Sequence, residues 1–129
     1  VQKWVEDLNR LYREEPALWE ADFDAHGFFW IDCQDGKASV ISFVRQNTDC
    51  SRQVLAVLNL APVSHQNYRI GLPRDGWWRE ALNSDAKIYG GGNSGNSGGI
   101  HADGIPWHSQ PFSSEFELPP LTCLVFLRE

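Results

Sequence analysis

The glycine-rich stretch "YGGGNSGNSGG" at residues 89–99 has the residue spacing most suggestive of chemistry. Gly90, Gly92 and Gly95 satisfy the pattern G-x-G-x-x-G, which binds a pyrophosphate where a strand ends and a helix begins. The following residues 100–116, "IHADGIPWHSQPFSSEF", show no helical periodicity and contain two prolines, so they predict more loop and then a strand. Because a phosphate site needs the helix, we interpret residues 90–99 as a turn-rich surface loop.

The carboxylates, histidines and cysteines form none of the patterns that catalysis or metal binding requires. Asp22 and Asp24 lie in a predicted linker, and Asp32 and Asp35 flank a predicted turn, so we interpret them as exposed loop acids. Histidines occur singly in predicted loops, without metal-ligand spacing, at His26, His65, His101 and His108. The cysteines are three and widely spaced, which favours reduced thiols at Cys33, Cys50 and Cys123. We therefore predict no catalytic residue, no cofactor and no metal site.

Tryptophan is unusually frequent, with six residues in a chain of 129: Trp4, Trp19, Trp30, Trp77, Trp78 and Trp107. The adjacent Trp77 and Trp78 must point to opposite faces of a strand, so one is predicted to be buried and the other exposed. By the same alternation, Phe28 and Trp30 share one face, and Phe29 and Ile31 share the other. An exposed indole suits stacking on a sugar ring, whereas a buried one fills a core or a domain interface. The sequence leaves both roles open.

The overall composition describes a single acidic domain. Lysine and arginine number 11 against 17 aspartates and glutamates, a net charge of −6, which argues against nucleic acid or an anionic membrane as partner. No apolar run approaches about 18 residues, and the start has no signal-peptide pattern, so we expect no membrane span and a cytoplasmic location. Since the sequence contains no methionine, we also expect further chain upstream.

Residues 1–20, "VQKWVEDLNRLYREEPALWE", predict an amphipathic helix that ends before Pro16. Four apolar residues recur at helical spacing, with Trp4 and Leu11 beside them: Val1, Val5, Leu8 and Tyr12. Such an apolar stripe must be covered by another layer. The partner is either chain outside this sequence or the β domain that follows, and the abrupt beginning favours the former.

From Phe28 onward the periodicity changes to two, and seven short segments predict an all-β antiparallel sandwich. The segments are residues 28–32, 38–44, 54–60, 68–72, 77–82, 113–118 and 122–127. Residues 54–60 and 122–127 are apolar at nearly every position, which is typical of central strands covered on both sides. The intervening "QDGK" at 34–37 predicts a short hairpin turn.

Four segments resemble, in order, the C-terminal end of bacterial 1,4-α-glucan (glycogen) branching enzymes of glycoside hydrolase family 13. They are "DLNRLYREEPALWEADFDAHGFFWID" (7–32), "VLNLAPVSHQNYRIGLP" (57–73), "WREALNSDAKIYGGGNSGN" (78–96) and "LPPLTCLVFL" (118–127). The third is the most specific, and it makes the glycine stretch the family's own loop, expected near the barrel contact. The resemblance implies that residues 1–20 are the last helix of a (β/α)8 catalytic barrel plus a linker. Residues 21–129 are then the C-terminal β-sandwich of the alpha-amylase type.

The resemblance also implies a function for the longer protein. An Asp nucleophile and a Glu acid/base cut an α-1,4-glucan, and a 6-hydroxyl resolves the glucosyl-enzyme to give an α-1,6 branch in glycogen. Those carboxylates precede this chain, so the resemblance assigns no catalytic residue here. It implies instead that the domain supports the barrel and binds α-glucan weakly. Trp30, in the "GFFW" of residues 27–30, is the candidate glucan-binding residue.

The chain departs from the family pattern at one position beside Trp30, and two alternative functions remain open. The family has Glu where Phe29 stands, so a polar neighbour of Trp30 is expected to be missing. The first alternative is an autonomous carbohydrate-binding sandwich. The second is a pure interaction module whose apolar surface dimerises when the barrel is absent. An apolar stripe at Trp4, Leu8 and Leu11 is taken as the feature that favours a domain attached to a barrel.

Overall fold

The computed structural model describes residues 2–18, 27–35, 38–48, 50–83, 96 and 98–128. These residues form one helix, one 3₁₀ turn and eight strands: α1 (Gln2–Glu14), the turn Pro16–Leu18, β1 (Phe28–Asp35), β2 (Val40–Gln46), β3 (Gln53–Asn59), β4 (His65–Leu72), β5 (Gly76–Asn83), β6 (Gly99–Ala102), β7 (Phe112–Leu118) and β8 (Thr122–Arg128). The predicted helix and all seven predicted strands are confirmed. The eighth strand, β6, lies in a segment predicted to be loop. Of the predicted hairpin turn, residues 36 and 37 lie outside the described residues.

The strands form two antiparallel sheets that face each other. The larger sheet has the order β1-β2-β3-β8-β5-β6, and the smaller one pairs β4 with β7. The two strands predicted to be central, β3 and β8, are neighbours in the middle of the large sheet, with Leu55 opposite Phe126. The all-β sandwich predicted from the sequence is therefore confirmed.

A single apolar core fills the space between the sheets, and every described strand contributes to it. Its largest fully buried side chains are Trp78, Phe116 and Phe126. The rings of Phe116 and Phe126 meet edge to face at 5.0 Å, a favoured aromatic geometry. The indole N–H of Trp78 donates to the carbonyl of Arg74 at 3.3 Å, so the buried polar atom is satisfied. The core is closed by residues of this chain alone.

Helix α1 covers the other face of the large sheet. Trp4, Leu8 and Leu11 pack there, and their partners are Ala17, Val54, Leu82, Val125 and Leu127. Strand β8 therefore alternates between two apolar layers, because Leu124 and Phe126 face the sandwich core while Val125 and Leu127 face the helix. This explains why β3 and β8 lack a polar face.

The helix contact revises one argument drawn from the sequence. Trp4, Leu8 and Leu11 are covered by the chain's own sheet, so their apolar character does not by itself require a missing barrel. Val5 and Tyr12, which belong to the same predicted stripe, are instead 46% and 47% exposed. These two residues are the part of the helix that a further layer would cover.

A charged contact fixes the end of the helix on the sheet. Glu15 is buried, and its carboxylate accepts hydrogen bonds from Arg52 Nε at 3.0 and 3.1 Å and from Arg52 Nη2 at 2.7 Å. A buried carboxylate is costly unless it is paired in this way. Arg45 Nη2 also donates to the carbonyl of Leu18 at 3.1 Å. The apolar stripe and these two arginines together set the position of the helix.

Replacing Trp78 by alanine should lower the free energy of unfolding by about 3–5 kcal/mol, because it removes a fully buried aromatic ring and leaves a cavity. Its neighbour Trp77 is half exposed and provides the matched control, for which we expect a clearly smaller loss. Urea unfolding followed by circular dichroism measures both. Equal losses for the two variants would contradict the assigned alternation.

Candidate functional site

Trp30 lies on the outer face of strand β1, within a cluster of aromatic rings. Its ring is 5.2 Å from that of Phe28 and 5.8 Å from that of Phe43, both in edge-to-face geometry. Trp30 is 51% exposed and Phe28 is also exposed. Phe29 and Ile31 pack against the sandwich core on the opposite face. The alternation predicted for residues 28–31 is therefore confirmed.

The position of Phe29 bears on the departure from the family pattern. Its ring packs on the core, whereas Trp30 points to the outer face, so the two side chains are separated by the sheet. The expectation that Phe29 removes a polar neighbour of the Trp30 ring is therefore wrong. The neighbours of Trp30 that define its surroundings are Phe28 and Phe43.

An apolar groove continues this aromatic cluster towards α1. It has a volume of ≈ 370 Å³ and runs between the helical residues Leu8, Asn9, Leu11, Tyr12 and Leu18 and the sheet residues Phe43, Arg45, Val54, Ala56 and Val125. Phe43 belongs to both the cluster and the groove wall. We call the cluster, the groove and the exposed Val5 and Tyr12 the helix-side face. Contiguous exposed apolar surface of this kind usually marks an interaction site.

The other tryptophans fall into different environments. Trp78 is fully buried and Trp77 is 50% exposed, which confirms that they point to opposite faces. Trp107 is 46% exposed in the segment between β6 and β7. Trp4 is half-buried under the helix, and Trp19 lies outside the described residues.

Asp32 does not behave as the exposed loop acid that the sequence predicts. It lies within β1 and is partly buried, and one carboxylate oxygen is 3.4 Å from His108 Nε2. The other oxygen accepts a hydrogen bond from the backbone N–H of Gln34 at 3.1 Å. This aspartate positions a histidine from a distant segment. Asp22, Asp24 and His26 lie outside the described residues, and Asp35 ends strand β1.

The described part of the chain was compared with the geometry of a metal site and with the length of a membrane-spanning helix. No group of three or more His, Cys, Asp and Glu side chains among those residues is placed to hold a metal ion. None of the helices described is long and apolar enough to cross a membrane.

Most of the glycine-rich stretch lies outside the described residues, which include Asn96, Gly98 and Gly99 at its end. The side-chain amide of Asn96 donates to Glu80 Oε2 and to the Glu117 carbonyl, each at 3.1 Å, and its oxygen accepts from the Glu117 N–H at 2.8 Å. Gly99 then begins strand β6. A strand follows the glycines directly, where the sequence predicted more loop, and the described residues after them begin no helix that could bind a phosphate.

Cys50 and Cys123 do not form disulfides, and the side chain of Cys33 is not among those described. Burial raises the pKa of the Cys123 thiol from 9.0 to about 11, because a thiolate is poorly solvated beside the apolar layer under the helix. A thiol with so high a pKa is a weak nucleophile at neutral pH. Cys123 therefore has a packing role.

The all-β architecture agrees with the similarity of this chain to known proteins. Residues 30–129 match the family described as alpha amylase, C-terminal all-beta domain. The chain is 49% identical over 128 residues to a 1,4-alpha-glucan branching enzyme GlgB of Gloeobacter violaceus, covering 99% of this chain and 18% of that protein. The GlgB proteins of Aquifex aeolicus and Prochlorococcus marinus are 46% and 50% identical, over 100% and 97% of this chain and 20% and 17% of their own length. The chain spans about a fifth of the length of these relatives.

Stability should depend on Cys123 at alkaline pH. The pKa of this thiol is higher in the folded chain than the ordinary 9.0. Its contribution to the free energy of unfolding is therefore fully present below pH 9 and is lost as the pH rises through about 11. We expect the Cys123→Ala variant to lose less stability over this interval than the unchanged chain, by on the order of 2 kcal/mol. Urea unfolding at pH 8 and pH 11 measures it. Cys50→Ala is the control, and parallel curves for all three proteins would contradict the assignment.

Proposed function

Because the chain belongs to the family of alpha-amylase C-terminal all-beta domains, we propose that it is the non-catalytic C-terminal domain of a 1,4-α-glucan branching enzyme. The observation that carries this proposal is identity of 46–50% over nearly the whole chain to three proteins with that name. The full-length protein then transfers α-1,4-glucan segments to 6-hydroxyls, which makes the α-1,6 branches of glycogen. The cytoplasmic location stays a prediction.

Two described carboxylates, Glu15 and Asp32, are engaged in structural contacts, which is consistent with a non-catalytic role. Retaining glycosyl transfer needs two carboxyl groups about 5–5.5 Å apart across an open cleft. Glu15 is instead buried against Arg52, and Asp32 is committed to His108 and a backbone N–H. In this proposal the nucleophile and the acid/base belong to the catalytic barrel, outside these 129 residues.

The groove, Val5 and Tyr12 of the helix-side face are proposed to contact that barrel. Residues 1–20 form its last helix and linker, and residues 21–129 form the sandwich. Helix α1 packs on the large sheet with Trp4, Leu8 and Leu11, while Val5 and Tyr12 remain exposed for a second layer. The helix is therefore shared between two domains, which fixes their relative position. Exposed Phe28 and Trp30 extend the apolar surface beyond the helix.

Weak α-glucan binding at Trp30 is a second part of the proposal. Half of its surface is exposed, and Phe28 and Phe43 hold the ring edge to face. A ring fixed by its neighbours loses little freedom when a sugar stacks on it. The alternative of an autonomous carbohydrate-binding sandwich shares this contact but needs no barrel, so the exposed Val5 and Tyr12 favour the attached domain.

We expect no branching activity from the isolated 129-residue chain, because both required carboxyl groups are assigned to the barrel. The full-length protein should convert amylose to a product with a weakened iodine colour and new α-1,6 linkages, measured by debranching and chain-length analysis. A colour change with the pure isolated chain would contradict the assignment of this chain. An inactive, correctly folded full-length protein would overturn the branching function.

Replacing Trp30 by alanine should reduce the heat of binding when the isolated chain is titrated calorimetrically with maltoheptaose, because the stacking ring is lost. Trp77→Ala is the matched control, since Trp77 is equally exposed on the same sheet. A binding curve that Trp30→Ala leaves unchanged would contradict glucan stacking at this ring.

A further inference from the structure

A cleft of ≈ 550 Å³ opens on the side of the molecule away from the helix-side face. Its walls are residues Ser64–Arg69 of strand β4 and the loop before it, together with Trp107 and His108. We call it the Trp107 cleft. Ile70 and Leu72 of the same strand face the sandwich core, so Gly71 between them faces outward beneath the segment that carries Trp107.

Trp107 is presented by a strained two-residue turn. The backbones of Trp107 and Gln110 exchange hydrogen bonds at 3.1 and 2.9 Å, with His108 and Ser109 between them. Both intervening residues have positive φ, 50° and 62°. Turns of this kind normally use Asn and Gly, because other side chains adopt this conformation at a cost. Strain of this kind persists only where the surroundings enforce it, and it concentrates at functional sites.

The surroundings of the turn show how it is enforced. His108 Nδ1 accepts a hydrogen bond from the Gly71 N–H at 3.1 Å, which leaves the ring proton on Nε2, facing Asp32 at 3.4 Å. A methyl group added at Gly71 would overlap the carbonyl oxygen of Trp107. Gly71, His108 and Asp32 thus lock the turn against both strands β4 and β1, and the half-exposed indole is held at the rim of the cleft.

The lining of the cleft indicates what class of ligand it suits. Exposed amide and hydroxyl groups come from Ser64, Gln66 and Asn67, and aromatic surface comes from Tyr68 and Trp107. The one lining cation, Arg69, lies 3.2 Å from Glu115 and 3.7 Å from Asp103, so it adds no net charge for an anion. An exposed aromatic ring beside neutral hydrogen-bonding groups suits an uncharged, polyhydroxylated ligand.

We propose that the Trp107 cleft is a surface binding site for an α-1,4-glucan chain, with Trp107 as the stacking ring. The choice of this sugar rests on the proposed function, whereas the site itself rests on the locked turn and the lining of the cleft. Because the cleft lies on the opposite side from the helix-side face, a glucan held there leaves the barrel contact undisturbed. Bound glucan would raise the local concentration of substrate around the catalytic domain.

The test follows the indole N–H signals of the isolated chain by ¹H–¹⁵N NMR during titration with maltoheptaose. We expect the Trp107 signal to shift saturably, with little change at Trp77, which is similarly exposed and also neighbours a histidine ring. The backbone N–H signals of the other cleft residues should also shift on titration. Trp107→Ala should abolish these backbone shifts, and Trp107→Phe should retain part of them. A Trp107 signal that does not respond would overturn the site, and an equal response to cellohexaose would overturn its assignment to α-1,4-glucan.

The full-length protein separates this inference from the proposed function. Trp107→Ala should retain its branching rate on short maltodextrins and lose several-fold in binding to glycogen, measured by affinity electrophoresis. Normal branching together with unchanged glycogen affinity would overturn the Trp107 site and leave the proposed function standing. Trp77→Ala is the matched control, because the exposed Trp77 ring lies on the large sheet and outside the cleft. We expect this variant to keep the glycogen affinity of the unchanged protein.

Discussion

The large sheet must be covered on both faces at its centre, and the rest of the molecule is arranged around that requirement. Strands β3 and β8 present apolar side chains alternately to the sandwich core and to helix α1. Neither the helix nor the small sheet can be removed without exposing one apolar layer to water. The buried Glu15 and its partner Arg52 then fix where the helix ends on the sheet. The helix is consequently part of the packing of this domain. Its exposed side can contact a second domain.

The same arrangement separates two surfaces of different chemistry. Helix α1 covers the middle of the large sheet and leaves aromatic side chains exposed on either side of it, Trp30 on β1 and Trp77 on β5. That face is apolar and broad, as a domain contact requires. The outer side of the small sheet carries the polar Trp107 cleft instead. Among the described non-glycine residues with positive φ, Asn67, His108 and Ser109 lie at the cleft, whereas Ser39, Cys50 and Leu121 lie elsewhere.

Periodicity in the sequence predicted the elements that side-chain alternation controls. The seven strands, the helix and the opposite orientations of Trp77 and Trp78 all follow from whether apolar residues repeat every two or every 3.6 positions. Strand β6 was missed because its alternation, with Ile100 and Ala102 towards the core and His101 exposed, spans only four residues. It is ordered by pairing with the edge of β5. The contact of Asp32 with His108 joins segments far apart in sequence, so no local pattern reveals it. The Trp107 turn was missed because His108 and Ser109 are not the residue types that signal left-handed turns.

The shared helix decides what a glucan site on this domain can do. A domain joined through a flexible linker samples many orientations, and its bound ligand is spread over a large volume. Here α1 packs on the sheet through an apolar stripe and a buried charge pair, and the same helix is assigned to the catalytic barrel. If the proposed assignment of α1 to the barrel holds, this packing would fix the orientation of the sandwich relative to the barrel. A glucan held in the Trp107 cleft would then keep a defined position relative to the catalytic domain, which is more effective than tethering through a flexible linker.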